Sequence, residues 1–221
     1  MRFKSDPILT TAIGVGLATG VYGISFGALS IAAGLDVWQT QLLSLLMFSG
    51  ASQFAFIGVI AAGGGVAVGA AITAAWLLGV RNGFYAVTMA PILKRTGQSK
   101  LLPAQLTIDE STAVALAQQT TQDQRKGFWS TGIAIYVFWN LATFLGAVLG
   151  DSLGDPAAWG LDAAAAAAFL GLLWPRLKDS KTILTALGAV VIATALSPIL
   201  PTGASILVAG AFSIVVAWRH K

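Results

Sequence analysis

Arg81, Asn82, Asp109 and Glu110 stand in stretches of sequence apolar enough to lie within a lipid bilayer. A charge placed in hydrocarbon is costly, so such groups pair with one another, face a watery path, or carry an ion or proton. Counting ~1.5 Å per residue inward from Leu93 and from Leu101 sets Arg81 ~18 Å and Asp109 ~12 Å from the same face. The difference of ~6 Å is within side-chain reach, so the two are expected to pair. A carboxylate held there can take up and release a proton. The four residues are therefore candidates for coupling or gating a path through the membrane. The plainer alternative is an arginine snorkelling to the headgroups and an interfacial helix with two wet carboxylates.

A second constellation is uncharged. Gly23-Ile24-Ser25-Phe26-Gly27 and Phe48-Ser49-Gly50-Ala51-Ser52-Gln53-Phe54 put glycine, serine and one glutamine into apolar surroundings. Lipid offers these groups no hydrogen bonds, so they face protein, water or a solute. Gly16, Gly20, Gly23 and Gly27 share one helix face at spacings of four, three and four. That face supports two readings. Small residues let a second helix approach closely. Alternatively the helix breaks near Gly23–Gly27 and offers the N-terminus of its second half to a carboxylate. Ser25 and Ser30 either add hydroxyl bonds or donate to carbonyls one turn back. Gln53 is costly to leave in lipid. It is either a helix-to-helix tie or a solute contact, with Ser49, Gly50 and Ser52 on the preceding turn. Asn140, beside Trp139, either bonds another helix or lines the path. The candidate solute contacts are thus Gly23, Ser25, Phe26, Gly27, Ser49, Gly50, Ser52, Gln53 and Asn140.

These side chains need helices that cross a membrane. The 221 residues are 56% hydrophobic and only 10% charged, with mean hydropathy +0.79. Soluble domains carry about 25% charged residues. The chain reads as an all-α polytopic integral membrane protein, one transmembrane domain over 1–221. Apolar runs lie at about 8–33, 37–62, 66–93, 128–149, 157–174, 182–200 and 204–218, with a weaker segment at 101–119. That makes seven or eight segments, most near the ~20 residues that span ~30 Å of hydrocarbon. The first run follows Arg2 and Lys4 without a convincing cleavage site, so it is read as a helix that stays. Gly27-Ala28, Gly34-Leu35 and Phe48 are echoed by Gly146-Ala147, Gly154 and Phe169, a hint of internal repeats.

Lysine and arginine near segment ends set orientation. Arg2 and Lys4, Arg125 and Lys126, Arg176, Lys178 and Lys181, and Arg219 and Lys221 mark inner ends. Asp36, Asp151 and Asp155 mark the opposite side. Both termini are therefore expected in the cytoplasm. Lys94, Arg95 and Lys100 do not fit. If 66–93 crosses once they fall outside; if it folds back they fall inside. Length favours the single crossing, which is the expectation here.

Several function classes fall away. The net charge of +4 and pI near 9.6 are spread over segment ends rather than gathered in a nucleic-acid stripe. Cysteine is absent, and His220 is the only histidine. No phosphate loop, metal-ligand cluster or nucleophile–histidine pair is seen, so no enzyme, cofactor or metal site is expected. Asp162 reads as a helix cap. Trp38, Trp174 and Trp218 read as interface anchors.

Gly34-Leu35 with Gln41-Leu42-Leu43-Ser44-Leu45-Leu46-Met47-Phe48-Ser49-Gly50-Ala51-Ser52-Gln53-Phe54 resembles the AzlC family, the larger component of bacterial branched-chain amino acid exporters. Leu77-Leu78-Gly79-Val80-Arg81-Asn82 resembles its Arg-His motif, with Asn82 in place of histidine. Thr107-Ile108-Asp109-Glu110-Ser111 resembles its Thr-Asp-Glu element. Trp139, Gly146-Ala147, Gly150 and Gly160-Leu161-Asp162 with Phe169 extend the match over about 8–200. The resemblance implies a permease of the bacterial cytoplasmic membrane that exports valine, leucine, isoleucine or analogues. It also implies a small AzlD-type membrane partner. Proton motive force is the expected drive, since the chain has no nucleotide motif. The competing expectations are a channel-like or structural membrane subunit and a permease for another small metabolite.

Overall fold

The computed structural model describes residues 6–94, 100–152, 170, 173–174, 177–200 and 204–219. Among these the chain is helical without a strand. The helices are α1 (Pro7–Ala32), α2 (Val37–Leu46), α3 (Gly50–Gly63), α4 (Val68–Leu93), α5 (Leu101–Gln105), α6 (Asp109–Leu116), α7 (Thr121–Ser152), α8 (Ser180–Leu196) and α9 (Ala204–Arg219), with a 3-10 turn over Gly64–Ala67. The stretches Pro7–Ala32, Gly50–Leu93 and Thr121–Ser152 contain helix long and apolar enough to cross a membrane, and α8 and α9 are shorter apolar helices. The all-α membrane architecture expected from composition holds. Most of 157–174, with Gly160, Leu161, Asp162 and Phe169, lies outside the described residues. So do Arg2, Lys4, Arg95, Gly154, Asp155, Arg176, His220 and Lys221.

Helices α1 and α7 form the spine, and they run in the same direction. The glycines of α1 make this possible. A Cβ on Gly16 would sit 2.9 Å from that of Ala134, and one on Gly20 2.9 Å from that of Phe138. One on Gly23 would come 2.7 Å from the Trp139 carbonyl oxygen, and one on Gly27 would collide with the Thr143 carbonyl. Of the two readings of that face, the break near Gly23–Gly27 does not occur: α1 is continuous over 26 residues. The small residues remove side-chain bulk so that two backbones touch, and the hydrogen-bond ladder stays intact. Gly146 likewise meets the Ile24 carbonyl. Gly27 against Thr143 and Gly146 against Ile24 interchange under one offset (146 − 27 = 143 − 24 = 119). The echo of Gly27-Ala28 in Gly146-Ala147 is thus a pairing in space. Lys126 of α7 bonds Asp6, the cap of α1, and holds that carboxyl below its usual range.

The break lies in the second span. Helix α2 begins on an Asp36–Gln39 capping box and stops at Leu46. Met47 to Ser49 are not helical, and α3 starts at Gly50. From there the chain turns back. Val59 and Ile60, late in α3, pack with Ala67, Ala71 and Ala74 and with Ala33 and Leu35. Ala33 and Leu35 mark the end of the bundle where α1 finishes and α2 begins. The segment read as a crossing over 37–62 is therefore a re-entrant hairpin. Gly64, at φ +59°, makes the turn into α4.

Helix α4 then crosses once, as length predicted. It ends beside the start of α7, where the Arg125 Nε donates to the Ile92 carbonyl at 2.7 Å. Lys94, at φ +49°, closes the helix. Lys94 thus shares an end of the bundle with Arg125, Lys126 and Asp6. One crossing and the charge rule now agree, because the hairpin precedes α4 rather than lying inside it. The weaker segment 101–119 is a second re-entrant hairpin, entering from the Lys94 end. Its α6 runs back along α7: a Cβ on Gly132 would lie 3.0 Å from that of Leu106, and one on Gly127 3.2 Å from the Val114 carbonyl. Two of the seven or eight segments thus turn back at mid-depth.

Candidate solute site at the hairpin tips

The two hairpins enter from opposite ends and meet near the middle of α7. At the first tip Ser49 is extended, at φ −159°, and precedes α3 without a side-chain cap. Its Oγ lies 3.2 Å from the Ser52 Oγ. At the second tip Ile108 is extended at φ −129° before α6. The Ile108 N–H donates to the Ser111 Oγ at 3.1 Å, and that hydroxyl donates to the Leu106 carbonyl at 2.7 Å. Each tip ends in the N-terminus of a helix, whose first N–H groups have no helical partner.

A cavity of about 470 Å³ opens between them. Ser49, Gly50 and Ala51 line it from the first tip, and Ile108, Asp109 and Glu110 from the second. Helix α4 supplies Leu78 and Arg81, and α1 supplies Thr19 and Tyr22. Phe48, Phe54, Ile135, Trp139 and Leu173 give it a largely apolar wall. This volume falls in the range of small-ligand sites, about 300–1,000 Å³.

Arg81 sits in the middle of the 26-residue α4. Its Nη1 lies 3.4 Å from the Asp109 Oδ2, so the expected pairing is present. Both side chains keep about 30% of their surface exposed (29% and 31%), so they face the cavity without being sealed from it. The Arg81 Nε and the Trp139 Nε1 are buried donors without a partner, and both residues line the cavity. The site thus offers a guanidinium, two carboxylates and two helix N-termini, set among aromatic and aliphatic surfaces.

Of the residues singled out in the sequence, Ser49, Gly50, Arg81, Asp109 and Glu110 come together here. The rest support the walls. Phe26 is fully buried, its ring 6.1 Å from Trp139 in a stacked pair and 5.7 Å from Phe54 edge-on. Gly23 and Gly27 face α7, and Ser25 is half-buried on α1. Gln53 is fully buried, its amide shared between the Leu43 and Ser44 carbonyls at 3.4 Å each. Asn140 donates to the Tyr136 carbonyl at 2.7 Å. Asn82 is half-buried beside Arg81. Sequence reasoning missed Thr19 and Tyr22, whose i, i+3 spacing in an apolar helix was the available signal. It also missed Phe48, Phe54 and Trp139, whose aromatic rings look like ordinary core.

The family model described as AzlC protein matches residues 14–153, more than half of the chain and all of α2 to α7. No curated protein and no solved structure matches.

Proposed function

Since the chain belongs to the AzlC family, a family with a membrane-transport role, we propose that it is a secondary exporter of branched-chain amino acids. Its place is the bacterial cytoplasmic membrane, with both termini inside. The drive is the proton motive force, and a small AzlD-type membrane subunit is its partner. One observation carries this reading: an Arg81–Asp109 ion pair and two helix N-termini converge on a cavity with an aromatic and aliphatic wall.

The chemistry of that cavity matches a zwitterion with an apolar side chain. The carboxylate takes the first-turn N–H groups of α3 and the Arg81 guanidinium, where helix dipole and charge act together. The ammonium takes Asp109 and Glu110. The side chain lies among Phe48, Phe54, Ile135 and Trp139, where each buried CH₂ is worth about 0.8 kcal/mol. Binding splits the Arg81–Asp109 pair and gives each partner a new counter-charge. Glu110, next to Asp109, is the group that takes a proton when the ammonium leaves. Relative rocking of the hairpins and the α1–α7 spine then opens the cavity to either side in turn.

The test is exchange. Vesicles carrying this chain and a small partner subunit are loaded with labelled leucine and diluted into buffer with excess unlabelled leucine. Faster release with the unlabelled solute marks a carrier and removes the channel-like or structural reading. A panel of unlabelled competitors separates aliphatic amino acids from other small metabolites. Net efflux should collapse with an uncoupler. Glu110→Gln should keep exchange while losing that sensitivity; a variant as proton-driven as the parent would remove Glu110 from the coupling role.

A further inference from the structure

We propose that Gln105 and Tyr136 are positioning residues of the transport site, forming a latch that joins the two hairpin tips and fixes the N-terminus of α3 across the cavity from Asp109. This rests on the transport reading above.

Helix α2 ends at the level of the middle of α7, with Leu46 exposed rather than enclosed, so in a bilayer its last carbonyls need partners from the protein. The Met47 N–H takes the Leu43 carbonyl at 2.9 Å. Gln53 covers the Leu43 and Ser44 carbonyls from the same hairpin. The next two are served from elsewhere. The Gln105 Nε2, on the opposite hairpin, donates to the Leu45 carbonyl at 2.8 Å and to Leu46 at 3.3 Å. The Tyr136 hydroxyl, on α7, donates to Leu45 at 3.2 Å. Every carbonyl from Leu43 to Leu46 thus has a side-chain donor.

The two sides of the break differ in kind. The acceptor side is closed by protein groups. The donor side, Ser49 to Ala51, lines the cavity. The α2 carbonyls already accept side-chain bonds, whereas Ser49 to Ala51 face the cavity, so the ligand is placed at the α3 N-terminus. Gln105 does more than satisfy a helix end, because its backbone belongs to the hairpin that carries Asp109. Its two bonds fix the spacing between the N–H groups for the carboxylate and the carboxylates for the ammonium. Tyr136 adds to this through its ring, which meets Phe48 edge-on with centroids 5.0 Å apart. The Gln105 tie lies between the hairpins, which rock together against α1 and α7, so it sets solute affinity; the Tyr136 bond crosses that moving boundary and bears on the rate as well.

The experiment measures leucine export by the full chain with its small partner in vesicles, normalised to inserted protein. Gln105→Leu should raise KM about tenfold, the effect of two lost bonds and a stranded Leu46 carbonyl, while Leu45 keeps its bond from Tyr136. The maximal rate should stay near that of the parent. Tyr136→Phe should raise KM about threefold. The double variant should exceed the product, because both donors serve the Leu45 carbonyl and only their joint loss strands it. An unchanged KM in well-inserted Gln105→Leu overturns the proposal. If that variant fails to insert, a Leu46→Cys, Gln105→Cys pair decides instead, against a chain that has no native cysteine. Joining the two thiols with a short cross-linker should bring a raised KM back toward the parent value. A KM that cross-linking does not move overturns the latch. If the parent exports no branched-chain amino acid, the transport reading above is wrong in its cargo. The same before-and-after comparison, with a panel solute that the parent carries, still decides the latch.

Discussion

Arg81 and Asp109 hold each other at a depth where neither is easily kept alone. At a separation near 4 Å and an effective dielectric of about 20, their attraction is of order 4 kcal/mol before the cost of desolvating both. Removing one partner strands the other. We expect Arg81→Gln and Asp109→Asn each to lower stability by about 2–4 kcal/mol and to abolish export. Combining them should recover most of the stability and none of the export. Thermal unfolding in detergent and leucine efflux check the two halves of this statement. A double variant that still exports would make the pair structural. The depth of Arg81 was legible in the sequence because it follows from the fixed rise of the continuous α4; the count to Asp109 assumed a straight helix from Leu101, where the chain breaks over 106–108. The orphan donors of Arg81 and Trp139 were not legible, because partnership depends on packing that no spacing reveals.

Helix breaks obey a different logic. Four glycines on α1 looked like a weak point, yet glycine on one face is also what lets two backbones touch. The tertiary partner decides, and here it is α7. The real break follows Leu46, where Phe48-Ser49-Gly50 offered only a serine before a glycine as its signal. Gln53, read as either a helix-to-helix tie or a solute contact, eases that break by covering the Leu43 and Ser44 carbonyls. The close contact of α1 with α7 makes a sharp prediction. A methyl on Gly27 or Gly146 must displace backbone rather than a flexible side chain. Gly27→Ala should cost about 1–3 kcal/mol and Gly27→Val more. Gly14, whose added Cβ meets nothing within 4 Å, should tolerate alanine. Unfolding midpoints of the three variants in detergent would show the ranking, and equal midpoints would contradict the parallel contact.

The whole molecule is ordered by which end of the bundle each turn occupies. Charge alone placed Lys94 and Lys100 inside, and length alone made 66–93 a crossing. The two rules are compatible, and their conflict came from counting 37–62 as a crossing. Periodicity could not expose this, because α2 and α3 together are as long and nearly as apolar as a true span. What distinguishes them is contact: the late residues of α3 pack at Ala33 and Leu35, where α2 began. Side-specific labelling follows directly. Single cysteines at Leu35 and Gly65 should react with an impermeant thiol reagent from one face, although a whole apolar segment separates them. Cysteines at Lys100 and Gln124 should react from the other face. Labelling of Leu35 and Gly65 from opposite faces would make α2–α3 a crossing. It would also return Lys94 to the outer side and separate the two tips, and the cavity they enclose would go with them.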